Sequence, residues 1–198
     1  MAFTNPNTQT SGHLITADEW NEFVNNFKFF DVTRYLELDI AESHPALSEM
    51  TVAPIELVEA SVGGYDPAWY QALFDASAVE GRQWAKPIPP EYKDSPAIEF
   101  QGYMKTATSG TIVVNGYVSS IGVGAVVTSR SFDTLNAATI TVPGTAASSF
   151  MGTITLTNAD SMAAKDHAIF AFARQGTASS DTATGDFVLI SAAFRYGI

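Results

Sequence analysis

Few residues in this 198-residue chain are spaced for chemistry. The three histidines, His13, His44 and His167, stand far apart, and none has a second ligand at the short spacing a zinc site uses. Asp166 and His167 are adjacent, but neighbouring side chains in an extended strand point to opposite faces and form no catalytic dyad. Serines abound without a Gly-x-Ser-x-Gly elbow, and no P-loop or dinucleotide fingerprint occurs. The absence of cysteine excludes disulfides and thiolate metal sites. Glu37 and Asp39 would share one face of a strand, the minimum for glycoside chemistry, although a solvated face is the plainer reading of such a pair. The turn from Asp181 to Asp186 offers two carboxylates and threonine hydroxyls, oxygen donors that suit Ca²⁺, yet it lacks the ligand density of a calcium loop. These residues predict no enzyme, no metal and no cofactor.

Aromatic residues are the more informative class. Trp20, Trp69, Trp84 and Tyr92 all fall in the first half of the chain or at its end. Large aromatics fill cores, and they also dominate the binding energy of intersubunit contacts. The second role makes Ile15, Trp20, Phe23, Val24, Phe27, Trp69, Trp84 and Tyr92 the candidate assembly or anchoring residues.

Charge divides the chain. Residues 1–99 hold sixteen acidic and five basic side chains, whereas residues 100–198 hold five of each, so the net charge of −11 lies entirely in the first half. Neither half is a surface for nucleic acid, whose phosphates require a positive excess. Only 16% of the residues are charged, against a usual quarter. A neutral surface is cheaper to bury against other subunits, because little charge must be desolvated. The N-terminus lacks the basic and apolar regions of a secretion signal, and the longest apolar run, Ala168 to Ala173, is too short to span a bilayer. The expectation is a protein that is soluble when made, with no membrane partner.

The first fifteen residues are polar and read as an extended arm. Thr16-Ala17-Asp18-Glu19 has the spacing of a capping box, and Trp20, Phe23, Val24 and Phe27 then follow on one helical face. This predicts a short helix from Ala17 to Phe29. Leu36, Leu38 and Ile40 alternate with Glu37 and Asp39 as in a half-buried strand, and Val52 to Ala60 is a second apolar run interrupted by Pro54. Asp66-Pro67 has the form of a helix start and predicts a helix from Ala68 to Phe74. Lys86 to Pro90 is locked extended by its prolines and reads as a hinge. Beyond Asp94, alternation predicts strands at Ile98–Met104, Thr111–Ser119, Ala125–Ser129, Ala138–Val142, Gly152–Thr157, His167–Arg174 and Phe187–Tyr196. The expected organisation is an arm, helix and attachment region over residues 1–94, packing in part with an antiparallel, jelly-roll-like β-sandwich over residues 95–198.

Three stretches resemble tailed-phage virion proteins, among them head-decoration, cement and fibre-like proteins. The first is Ser11-Gly12-His13-Leu14-Ile15-Thr16-Ala17-Asp18-Glu19-Trp20-Asn21. The second is Trp84-Ala85-Lys86-Pro87-Ile88-Pro89-Pro90-Glu91-Tyr92, similar to an element that leads into the β-domain of those proteins. The third joins His167 to Arg174, the turn Asp181 to Asp186 and the final run Val188 to Tyr196. The resemblance implies a virion location and a homotrimer. With the charge pattern, it makes a non-enzymatic capsid decoration or cement protein, bound to the major capsid protein, the leading expectation. The alternative is a receptor-binding or adaptor protein of the tail, collar or fibre that recognises host carbohydrate through loops such as Thr106–Gly110 and Gly176–Thr184. Those loops carry no aromatic platform.

Overall fold

A computed structural model describes residues 33–45, 50–59 and 68–198. Alternation of buried and exposed side chains builds twelve strands: β1 (Arg34–Glu37), β2 (His44–Pro45), β3 (Thr51–Val52), β4 (Ile55–Glu59), β5 (Ala68–Phe74), β6 (Val79–Pro87), β7 (Asp94–Met104), β8 (Thr111–Ile121), β9 (Asn136–Thr141), β10 (Ser149–Thr155), β11 (His167–Gln175) and β12 (Phe187–Gly197). They form two six-stranded sheets. One runs β10-β7-β12-β5-β4, with β1 also on β12; the other runs β2-β6-β11-β8-β9, with β3 also on β6. All pairings are antiparallel except that of β3 with β6.

The wiring is a folded-back ribbon. β5 pairs with β12, β6 with β11, β7 with β10 and β8 with β9, so the chain doubles on itself four times around one axis. Successive pairs lie in opposite sheets, which is the arrangement of an eight-stranded jelly roll. Residues 34–87 lay strands in both sheets, and the change of charge near residue 94 is no break in either one.

Phenylalanines from both sheets fill the space between them. Phe100 meets Phe172 edge to face with ring centroids 5.1 Å apart, Phe74 meets Phe172 at 5.4 Å, and Phe170 lies 4.7 Å from Phe194. Two inward-facing glycines make room for these rings. A Cβ on Gly102 would meet the Phe187 ring at 2.5 Å, and one on Gly152 would collide with the Phe100 ring. The glycines cost strand propensity and return close ring packing.

Several expectations change. Residues 68–74 are a strand and not a helix: Ala72 and Phe74 enter the core while β4 and β12 take up the hydrogen bonds of both edges. The edges on offer override the local Asp-Pro signal. Ala125–Ser129 is not a strand, because this apolar run lies in the loop between β8 and β9, ends in a single 3-10 turn and leaves Val126 and Val127 exposed. β6 runs into the first two residues of the segment read as a hinge and ends at Pro87, leaving Ile88 to Pro90 between strands. The apolar run from Val52 is split by Pro54 into β3 and β4. The predicted helix at 17–29 and the arm lie outside the described residues. Among the described residues, no helix is long and apolar enough to cross a membrane.

Replacing Gly152 by alanine is expected to lose about 1–3 kcal/mol by overpacking the Phe100 ring. Urea unfolding measures it, and an unchanged midpoint would show that these glycines do not set the ring packing.

Candidate functional site

The end of the sandwich that carries the β11–β12 loop is built on Arg174. Its side chain points inward from β11 and is fully buried, together with that of Asp181. Nε and Nη2 donate to the two Asp181 oxygens at 3.1 and 2.8 Å. Nη2 also donates to the Ala183 carbonyl at 2.9 Å, and Nη1 to the carbonyls of Gly185 at 2.8 Å and Phe74 at 3.3 Å. All five guanidinium donors are thus used. Asp181 accepts in addition from the Val113 amide at 3.0 Å. The turn that offered calcium ligands is therefore a structural clasp, with its first carboxylate committed to arginine. Asp186, its other carboxylate, stands 4.0 Å from the Lys105 amine. Among the described residues, no three His, Cys, Asp or Glu side chains converge as a metal site requires.

Glu80 lies near this clasp and accepts from the Asp75 amide at 2.6 Å. Burial pushes its carboxyl above the ordinary value, and the like charges of Asp75 and Asp186 push the same way, against the pull of that amide and of Arg174.

A second location is open to ligands. Strand β12 bonds β7 along one edge and changes partners along the other: β5 pairs with Phe187–Leu189, and β1 with Ala193–Tyr196. Continuing the β5 register would set Tyr70 opposite Ser191. β5 instead stays with β4 there, and the sheet parts. The register with β7 also shifts between Leu189 and Ser191, a bulge of the kind that re-aims side chains at sites. The parting leaves a cleft of about 180 Å³. Its floor is Ile190–Ala192, one wall is Trp69 and Tyr70 of β5, and the other is the Glu37–Ile40 segment.

The walls are held firmly. Leu38 donates its amide to the Ala192 carbonyl at 3.0 Å, and Leu38 and Ile40 are buried in the core, which turns Glu37 and Asp39 outward on one shared face, as their spacing predicts. Asp39 caps the 3-10 turn Ile40–Glu42 by accepting from the Ala41 amide at 2.8 Å. Its carbonyl accepts from the Trp84 indole at 2.7 Å. Tyr70 is 48% exposed, and Trp69 is half-buried with an indole N–H that has no acceptor among the described residues. Beyond Trp69 on the same face of β5, Gln71 accepts from the Tyr103 hydroxyl at 3.1 Å and donates to Glu56 at 3.5 Å. A larger cavity of about 260 Å³ lies where Thr33 meets Asp94, Ser95 and Arg195–Gly197, but its one aromatic residue, Tyr196, is buried.

Of the candidate anchoring residues, Trp69 lines the cleft. Trp84 is 1% exposed and serves the core, presenting nothing to a neighbouring subunit. Tyr92 is half-buried against Phe194 and Tyr196, with centroids 5.9 and 6.1 Å away. Ile15, Trp20, Phe23, Val24 and Phe27 lie outside the described residues. Sequence reasoning missed that Trp69 shares a cleft with the Glu37–Asp39 pair, because a helical reading of 68–74 obscured its place on a strand.

No protein-family model matches the chain, and no curated protein matches it. Among solved structures it is similar to a family 11 carbohydrate-binding module from Clostridium thermocellum in complex with a β-1,3-1,4-mixed-linked tetrasaccharide, at 11% identity and a TM-score of 0.40, covering 81% of this chain and 94% of that one. It is also similar to a carbohydrate-binding module of specific mannan recognition, at 12% identity and a TM-score of 0.39, covering 82% and 98%. The xylan-binding domain of a Paenibacillus barcinonensis protein is 11% identical with a TM-score of 0.35, covering 83% and 92%. The likeness is one of coarse architecture.

Asp181→Ala is expected to cost about 3–5 kcal/mol, because it strands a buried guanidinium. The double variant Arg174→Met, Asp181→Leu should recover much of that loss; chemical denaturation of the three proteins measures both. For Glu80, the folded state binds its proton more tightly than the unfolded chain does, so its contribution is present at low pH and is lost as pH rises through the raised value. Glu80→Gln keeps the acceptor for the Asp75 amide. Its melting temperature relative to the parent should therefore climb from acid to mildly alkaline pH, and a flat difference would refute the assignment.

Proposed function

We propose that the chain is a non-enzymatic structural protein of a tailed-phage virion, and specifically a homotrimeric decoration or cement protein that binds the major capsid protein and stabilises the head. The observation that carries this reading is the pairing of its resembling stretches. Trp84 to Pro87 of the second lies beside His167 to Phe170 of the third, with Phe170 opposite Trp84 and His167 opposite Pro87. The remainder of the third stretch supplies the clasped turn and the closing strand, β12. Segments about eighty residues apart are thus elements of one jelly-roll core, as the resemblance requires of them. The sparse charge supports a surface that meets other subunits.

A second reading is a tail, collar or fibre protein that recognises host carbohydrate. The β12 cleft favours it, since Trp69 stands there on the outer face with the Glu37 and Asp39 carboxylates, an aromatic surface beside acceptors that the loops lacked.

Removing residues 1–30 touches none of the twelve described strands, and a cooperative melting curve checks that the truncated protein folds. It is expected to lose saturable binding to bare capsids in a co-sedimentation assay; full retention would sink the anchoring role of the arm. Immunogold labelling of intact particles with antibody to residues 95–198 separates the readings. Label over the head supports decoration, and label confined to the tail or collar supports receptor binding.

A further inference from the structure

We infer that the β12 cleft is a saccharide site that takes a single neutral pyranose ring and turns away anionic sugars. This rests on the carbohydrate reading above and adds a place, a size and a charge selection to it. The volume, about 180 Å³, lies below the ~300–1,000 Å³ of pockets for drug-sized ligands and suits one ring with its neighbours left in solvent.

The chemistry of the walls matches the two surfaces of a pyranose. A sugar ring presents apolar C–H groups on its faces and hydroxyls around its rim. Trp69, on the outer face of β5 with Gln71 and on the side to which Glu37 and Asp39 turn, offers aromatic area to the first, and its stiff side chain loses little freedom on binding. Glu37 and Asp39 offer carboxylate oxygens to the second, and a carboxylate accepts hydroxyl donors more strongly than a neutral group does. Asp39 is set in advance by the Ala41 amide on its side chain and the Trp84 indole on its carbonyl. Only Oδ1 is used in the cap, which leaves Oδ2 available. The floor adds the Ser191 hydroxyl between Ile190 and Ala192.

Charge selection follows from the same residues. The lining contains two carboxylates and no basic side chain. A sialic or uronic acid would bring a third negative charge into this cleft with no cation to offset it, which is unfavourable at contact distances. Glu37 is the simplest lever, because it is exposed and caps nothing in the described structure.

The test is calorimetric titration of the full-length protein with neutral disaccharides (lactose, cellobiose, mannobiose, chitobiose) and with sialyllactose and digalacturonate. At least one neutral sugar should bind saturably, and the anionic ones at least tenfold more weakly. Trp69→Ala should weaken neutral binding tenfold or more, Trp69→Phe should retain most of it, and Glu37→Gln should narrow the gap between neutral and anionic sugars. Trp69→Ala is informative if its melting curve stays cooperative, and Glu37→Ala, at an exposed position, should weaken neutral binding and supplies the test if it does not. If no sugar of either charge binds, the inference and the carbohydrate reading fail together. If anionic sugars bind equally well, the charge selection is wrong and the reading stands. Binding unaffected by Trp69→Ala and by Glu37→Ala places the site elsewhere, overturning the cleft while leaving the reading intact.

Discussion

A guanidinium buried in a phenylalanine-rich sandwich is tolerable only if every one of its donors is met, and Arg174 meets that condition by drawing four separate pieces of chain together. It reaches the end of β5 through the Phe74 carbonyl and the β11–β12 loop through Asp181, Ala183 and Gly185. Through Asp181 it also reaches the β8 backbone at Val113. Both sheets are thereby tied at one end. Desolvating such a pair is costly, and an apolar replacement of the same shape would be comparably stable. What the pair adds is direction: only one path of the loop satisfies all the donors, and that path delivers Phe187 in register with Phe74 and Met104.

From that start, β12 runs the length of the sandwich and decides where the site lies. A strand that keeps one neighbour per edge leaves no opening. β12 trades β5 for β1 midway and carries a bulge at the same place, so the sheet parts where Ile190 to Ala192 pass. The opening is shallow because Leu38 closes back onto Ala192 immediately afterwards. The core and the cleft share components here. Trp84, packed between the sheets, holds the Asp39 carbonyl, and Leu38 and Ile40 are core residues whose burial turns Glu37 and Asp39 outward. The Glu37–Ile40 wall therefore moves only if the core does.

How far the chain can be read from its sequence varies with what each strand buries. β7, β8, β10, β11 and β12 set mostly apolar residues at their inward positions, Arg174 apart, and they were legible. β6 inverts the rule. Its inward positions are Glu80, Arg82 and Trp84, with Glu80 bonded to the Asp75 amide and Arg82 to Ser43 and to the Ala53 carbonyl. No binary pattern exposes a strand whose polar residues face the core and find backbone partners there. β5 failed for a different reason: seven residues rich in helix-compatible Ala, Gln and Leu followed a helix-start signal, and only the two waiting edges of β4 and β12 made them a strand. Ala125–Ser129 is the converse case, a good strand former with no edge to join.

By itself, the sequence determined the mainly-β class, the positions of most strands beyond residue 94, the shared face of Glu37 and Asp39, and the lack of cysteine. Those properties depend on residue type and on spacing within one strand, and both are local. Tertiary structure alone decided that Asp181 belongs to Arg174 and not to a cation, that Trp84 is core, and that Trp69 lies across a parting in the sheet from Glu37 and Asp39. Each of these depends on which strand edges meet. In a ribbon folded back on itself, the partners of a strand can lie more than a hundred residues away, as β12 lies from β5, and no local pattern encodes that choice.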